Sequence, residues 1–234
     1  MDNYLLNILN SEYKFIKVLH KSQKGEIKLY RHKNLNKNLV IHTLNNAPVS
    51  VYKALKKIKH KNIIQVFEVL ETDEKTLVIE EYIDGMNLSE FVEIINPLGV
   101  KRVVRQLCEG LSVLHSIGIV HRDITLNNIM LDEKGTVKII DFDIAKLYKS
   151  NELKDSNSMG TAGYAPFEQM GIASTDEHTD IFAVGITANL LLTGKHPSVQ
   201  IYTKGRLGKM IEICTNINPQ NRFSSCDEIL NFLK

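Results

Sequence analysis

The sequence predicts an α+β protein in which a small antiparallel sheet is followed by a mainly helical part. Three observations carry this. Polar and apolar residues alternate in most of the segments up to Glu81. After Gly85 the apolar residues recur at helical spacing. A chain of 234 residues with 43% hydrophobic content can bury one sizeable core or two lobes.

Segments Lys14–Leu19, Glu26–Arg31 and Asn38–Thr43 read as a strand meander, with HKNLNKN as a polar turn. From Ser50, Val51, Ala54, Leu55 and Ile58 share one helical face while Lys53, Lys56 and Lys57 point away. A helix is expected there with Ser50 as N-cap. Strands Ile64–Leu70 and Thr76–Glu81 follow. Next, Val100, Val103, Val104, Leu107, Leu111 and Leu114 form an amphipathic stripe that ends near Gly118. Ile129–Leu131 and Val137–Ile140 flank the turn DEKG as a strand pair. Ile181–Leu192 reads as a buried helix, since a bilayer span needs roughly 20 residues. Ser225 with Glu228 three positions on is a capping box that opens the last helix. The strand-rich and helix-rich parts divide into residues 1–82 and 83–234, with no repeats and no low-complexity tail.

Charge is nearly balanced, 29 basic against 27 acidic residues, which gives no reason to expect nucleic acid. Cys108, Cys214 and Cys226 are odd in number and form no CxxC. They read as reduced thiols of a cytoplasmic protein rather than disulfides or zinc ligands. The start, MDNYLLNILNSEYKF, lacks the basic region and apolar run of a signal peptide. No membrane span is expected.

The chemistry concentrates in His121-Arg122-Asp123, in Asn128 five positions after the aspartate, and in Asp141-Phe142 after a strand. Phosphoryl transfer needs a carboxylate at the acceptor hydroxyl and oxygen ligands for Mg²⁺. Asp123, Asn128 and Asp141 have those types and spacing. On these residues the chain resembles the protein kinases over nearly its whole length. The resemblance implies a single two-lobed kinase-like domain that uses ATP and Mg²⁺ on a protein with a Ser/Thr acceptor. Asp123 then orients the attacking hydroxyl, and Asn128 and Asp141 hold the metal. Arg122 is the arginine found in kinases that are activated by loop phosphorylation.

Further matches follow in order. Gly160-Thr161, Gly163-Tyr164 and Pro166-Phe167-Glu168 resemble the end of an activation segment, although Phe167 departs from the usual Ala-Pro-Glu. By the same likeness Asp180 holds the catalytic-loop backbone and Arg222 pairs with Glu168. Thr161 sits where Ser/Thr kinases place a threonine beside the catalytic aspartate, and Ser156, Ser158 and Thr161 are candidate phosphorylation sites. Thr125 stands where a phosphate-contacting lysine is frequent. The wording HRDITLNNIML…IIDFDIAK most resembles a group of small bacterial kinase-like proteins in which DFD is usual. Asp143 reads as a local backbone hydrogen bond or as a third metal carboxylate.

The resemblance places Gly25, Ile27, Val40, His42, Glu80 and Glu81 at the nucleotide, and here the chain departs from the pattern. His20 and Ser22 replace the first two glycines of the phosphate loop, leaving Gly25. LVIHTL aligns with Val-Ala-Ile-Lys, so His42 replaces the phosphate-binding lysine and Val40 the alanine of the adenine slot. An ordinary histidine is largely neutral near pH 7 and clamps phosphate poorly. Strand alternation puts Gly25, Ile27 and Leu29 on one face and Lys24 and Lys28 on the other, so no lysine substitutes. No acidic residue occurs from Ile27 through Phe67, which removes the usual glutamate partner, and Glu80 is expected to face His42 instead. The nine Lys/Arg between Lys28 and Lys61 read as solvated faces or as a dock for an anionic partner.

Three readings follow: a weak or atypical Ser/Thr protein kinase, a pseudokinase acting as a binding or scaffolding module, and a small-molecule kinase. Arg122 and the GT…GY…PFE segment argue against the last. The short interval between Asp180 and Arg222 implies a shrunken substrate-docking helix.

Overall fold

The computed structural model describes residues 9, 11–72, 74–91, 95–148, 161–170 and 175–234. The chain divides into two compact units, Met1–His60 with Ile64–Asp84, and Lys61–Ile63 with Gly85–Lys234. The change of unit thus falls between Asp84 and Gly85.

The first unit is an antiparallel sheet of β1 (Tyr13–Lys21), β2 (Gly25–His32), β3 (Asn38–Leu44), β4 (Val66–Glu71) and β5 (Thr76–Glu81), in the order β1-β2-β3-β5-β4. Side-chain alternation sorts its two faces. Leu39, Ile41, Leu70 and Ile79 cluster with Leu9, and Tyr13, Tyr30 and Leu77 pack against them. The residues between them, Val40, His42, Val78 and Glu80, take the other face and are buried as well.

Helix α1 (Val49–Leu55) buries Val51 and Leu55 as the spacing predicts, together with Tyr52, which the spacing does not single out, while Ala54 and Ile58 are only partly buried. Its start differs from expectation. Pro48, at φ −75°, is the N-cap, and its carbonyl accepts from the N–H groups of Val51 and Tyr52. Ser50 therefore lies inside the first turn and does not cap, because the proline already sets the backbone for the helix. The helix stops at Leu55, and Ile58 follows in a turn bonded to the Leu55 carbonyl.

Several of the basic residues in this lysine-rich stretch face carboxylates. Lys28 pairs with Glu26 at 2.6 Å, and Lys53 and Lys56 pair with Glu71 and Glu68 of β4, each at 2.5 Å. Exposed pairs of this kind contribute only about 0–1 kcal/mol each, but they neutralise the basic face.

The second unit is built on α2 (Pro97–Ser116), α3 (Glu177–Thr193), α4 (Gly205–Cys214) and α5 (Cys226–Phe232). Short strands β6 (Gly85–Asn87), β8 (Ile129–Asp132) and β9 (Val137–Ile139) pair in the order β6-β8-β9, and β7 (Ile119–Val120) pairs with β10 (Lys146–Leu147). The α2 stripe from Val100 to Leu114 is buried, and α3 is buried on nearly every side. Asp176 caps α3 by accepting from the His178 N–H, and Gly194 ends it at φ +67°, a left-handed position that suits glycine.

The capping box of α5 forms only in half. Ser225 Oγ accepts from the Glu228 N–H at 3.2 Å, but Glu228 Oε2 accepts from Ser224 N and Oγ rather than from Ser225. Residues 194–204 form turns and irregular chain, so α4 is the one α-helix between α3 and Arg222 among the described residues, followed by a single 3-10 turn at Pro219–Asn221. All three cysteines are buried and free. Burial raises the Cys214 thiol well above its ordinary value; contact with Cys108 and burial do the same for Cys226. Among the described residues no helix is long and apolar enough to cross a membrane.

Candidate active site

In the second unit the loop between β7 and β8 hangs from one carboxylate. Asp180, in the first turn of α3, is buried. Its Oδ2 accepts from the His121 N–H at 2.9 Å and from His115 Nε2 at 2.8 Å, and its Oδ1 accepts from the Arg122 N–H at 2.8 Å. Burial opposes the charge on Asp180, but the donors from His115 and His121 outweigh it and hold the carboxyl below its ordinary value. The expected support of the loop backbone is therefore present. Two non-glycine residues nearby take the left-handed region, Arg122 at φ +69° and Asp141 at φ +62°. His121 locks the loop to the residue just after β9: Nε2 donates to the Ile140 carbonyl at 3.1 Å, so Nδ1 is free to accept from the Asp123 N–H at 3.3 Å. Its ring packs 4.6 Å from that of Phe142, which is fully buried.

Asp123 is gripped from both sides. The Thr161 hydroxyl donates to Oδ1 at 2.6 Å, and Asn128 Nδ2 donates to Oδ2 at 2.8 Å and to the Asp123 carbonyl at 3.0 Å. With its amide nitrogen committed, Asn128 offers Oδ1 as its oxygen for a cation. The Ile140 N–H donates to the Asn128 carbonyl, which brings the chain at Asp141 beside Asn128. The Asp143 N–H donates to Asp141 Oδ1 at 3.2 Å, a bond in which the carboxylate is that of Asp141 and which decides neither reading of the Asp143 side chain. Asn128 and Asp141 suit Mg²⁺, which takes one or two protein oxygens together with phosphates. Among the described residues no group of three or more His, Cys, Asp or Glu side chains forms a metal site.

Behind the loop, Arg222 and Glu168 form the expected pair, Nη1–Oε1 at 2.5 Å and Nη2–Oε2 at 3.3 Å. Arg222 also donates to the carbonyls of His178, Asn216 and Ile217, and its guanidinium lies 4.8 Å from the centre of the Phe182 ring. Gln169 Nε2 donates to the Arg122 carbonyl at 2.6 Å. Gly160, Ser156 and Ser158 lie outside the described residues.

Sequence reasoning passed over His115 and Gln169. His115 lies four residues after Leu111, on the edge of the buried α2 stripe, and that position was the signal available for it. Nothing in the local sequence marks Gln169.

In the first unit Ile27 stands directly opposite His42, Leu29 opposite Val40, and Gly25 opposite Leu44. On the other side of β3, Val40 faces Glu80 and His42 faces Val78. His42 and Glu80 are therefore diagonal neighbours on one face, 6% exposed each, and not a solvated edge pair. Glu81 points elsewhere: its Oε1 accepts from the Gln65 N–H at 2.8 Å.

The Asp176–His178 pair makes stability depend on pH. Burial opposes the Asp176 charge, but bonds from His178 outweigh it and lower the carboxyl, while the same bonds raise His178 against partial burial. The His178 contribution is fully present below about 6.5, the ordinary value, and fades as pH rises through the raised native pKa. The Asp176 contribution is present above 3.8 and fades as pH falls through its lowered one. Asp176→Asn is expected to remove the decline on the alkaline side, read as Tm against pH. Parallel profiles for the variant and the wild type would defeat this account.

An antiparallel five-stranded sheet unit, followed by a helical unit whose His-Arg-Asp loop hangs from a buried aspartate, defines a two-lobed α+β kinase fold. Residues 14–233 match the protein kinase domain family, and the chain belongs to it. It is similar to the probable serine/threonine-protein kinase PknB of Lactococcus lactis, 32% identical over 176 residues that cover 71% of this chain and 28% of that protein. It is also similar to the serine/threonine-protein kinase PrkC of Bacillus subtilis, 33% identical over 144 residues, 60% of this chain and 22% of that one. Pkn1 of Myxococcus xanthus is 29% identical over 211 residues, 82% of this chain and 30% of its own length. The chain thus spans less than a third of the length of these relatives.

Proposed function

We propose that this chain is a Ser/Thr protein-kinase-like phosphotransferase that moves the γ-phosphoryl group of ATP to a protein hydroxyl, and does so slowly. The observation that carries the reading is Asp123, oriented by Asn128 and already holding a threonine hydroxyl at 2.6 Å. A carboxylate that holds Thr161 Oγ1 can orient a Ser or Thr acceptor and take up its proton. Asn128 Oδ1 and the Asp141 carboxylate are the oxygen donors for Mg²⁺, which would offset the charge of the phosphates. Arg122 is carried on the same strained turn.

Slowness is inferred from the first unit. His42 lacks the permanent charge of a lysine, and the segment Ile27–Phe67 supplies no carboxylate partner. Glu80, on the same buried face, is the group that would favour an imidazolium at His42 and restore part of a cationic clamp. His42→Lys is expected to raise autophosphorylation, and Glu80→Gln to lower both the His42 pKa in an NMR titration and nucleotide affinity. An unchanged His42 pKa would remove the substitute pair.

The test of the main reading is a thermal-shift titration with ATP, with and without Mg²⁺. A metal-dependent upward shift is expected in the wild type and its loss in Asp141→Asn, together with loss of phosphate incorporation. No shift and no incorporation at millimolar ATP with Mg²⁺ or Mn²⁺ would give the chain to the pseudokinase reading, which the replaced lysine favours.

A further inference from the structure

The second unit holds a cavity of about 190 Å³ that phosphoryl transfer does not use. His115 at the end of α2, Gly118, Val120 of β7, Tyr148, and Asp176 and Glu177 at the start of α3 line it. Two carboxylates and no lysine or arginine stand among these residues. A pair of acids at a helix start is common surface chemistry, since the helix dipole favours them. The imidazole beside them is less ordinary. The His115 side chain is 6% exposed, and its Nε2 lies 2.8 Å from the lowered carboxylate of Asp180, so Nε2 carries the proton. In the neutral ring this leaves Nδ1 as an acceptor, buried and without a hydrogen-bond partner, 3.8 Å from Glu177 Oε2. That separation is beyond hydrogen-bond reach in either protonation state. A buried acceptor with no donor is a standing penalty that a ligand N–H can relieve.

We propose that this cavity binds a guanidinium-type cation, its charge facing Glu177 and Asp176 and one of its N–H groups donated to His115 Nδ1. Three physical points select that class. A guanidinium carries five N–H donors in a planar fork, enough to meet a carboxylate and the ring nitrogen together. It is weakly hydrated, so entering a cavity of this size costs it less than it costs an ammonium ion. Its alkyl stem can lie along Val120 and the half-exposed Tyr148 ring. A hard divalent ion fits poorly, because the described residues form no three-ligand group. Asp176 Oδ1 is already engaged by His178, so Glu177 is the principal partner. Nδ1 is itself buried, so a ligand reaches it only where the 40% exposed Glu177 side chain turns toward the mouth. An occupied Nδ1 would fix the His115 tautomer that supports Asp180, and through it the N–H groups of His121 and Arg122.

The experiment is an NMR titration of the full chain, labelled with ¹⁵N at histidine, with three probes. Nα-acetyl-arginine amide stands for an arginine of a polypeptide, ethylguanidinium for a free small cation, and Nα-acetyl-citrulline amide for the same shape without charge. The arginine probe is expected to move the His115 Nδ1 resonance and the citrulline probe to leave it in place. Glu177→Gln, an isosteric change at a half-exposed side chain, is expected to weaken binding about tenfold, as loss of one charge-assisted hydrogen bond implies. Tighter binding of the amide than of ethylguanidinium assigns the cavity to a polypeptide arginine, and the reverse assigns it to a free cation. Equal binding of the citrulline probe, an undiminished affinity in Glu177→Gln, or a His115 response to Zn²⁺ alone would overturn the proposal. None of these readouts depends on phosphate transfer.

Discussion

Replacing Arg222 with alanine is expected to lower the unfolding free energy by about 3–5 kcal/mol, the cost of leaving a buried charge without its partner. The guanidinium meets Glu168 through two bonds, and three backbone carbonyls complete its hydrogen bonds. Truncation therefore strands the Glu168 carboxylate and the carbonyls of His178, Asn216 and Ile217 together. At about 2–4 °C per kcal/mol for a chain of this size, Tm should fall by roughly 6–20 °C. Glu168→Ala should cost a similar amount, and the double variant less than the sum, because the second change removes a charge the first had stranded. Arg222→Lys should rescue little, since an ammonium cannot reproduce the fork. Urea denaturation measures all four. A loss below about 1 kcal/mol for Arg222→Ala would mean that the pair behaves as a surface contact.

The second large effect belongs to Asp123. Under the proposed mechanism Asp123→Asn is expected to cut phosphate incorporation by about 10²–10⁴-fold, the usual contribution of a positioned base. Asparagine occupies the same volume and keeps one acceptor oxygen for Thr161 but loses the bond from Asn128 Nδ2, so Tm should fall by only a few degrees. A radiolabelled ATP assay beside a thermal melt separates the two readouts. Activity retained within about threefold, well short of that usual contribution, would remove Asp123 from its proposed role.

Much of this was legible because it is periodic. Strand β5 was placed residue for residue, and the buried α2 stripe follows from its spacing alone. Alternation along β3 gives the face of His42, whereas Glu80 is set opposite it by the resemblance alone; the β3–β5 register puts the two on one face. Helix α4 was not anticipated. Leu207, Met210, Ile211 and Cys214 do fall at helical spacing, but Gly205 and Gly208 weaken the signal. Gly208 has a tertiary reason, since a Cβ there would sit 2.2 Å from the Thr203 carbonyl carbon. The Ser50 assignment failed because a good cap residue lies two positions too late, behind a proline that already starts the helix. Roles that depend on distant partners were the least readable: His115 acts on Asp180, 65 positions away.

The left-handed backbone at Arg122 and Asp141 sets protein engineering for stability against the chemistry. Each such residue carries a conformational cost of about 1–2 kcal/mol that glycine would avoid, with aspartate at the lower end. A library selected only for heat resistance should therefore drift toward glycine at 141. Its survivors would be hardier and would have discarded the carboxylate on which the proposed metal site depends. Natural sequence variation filtered for turnover and laboratory variation filtered for folding should part company at this one position.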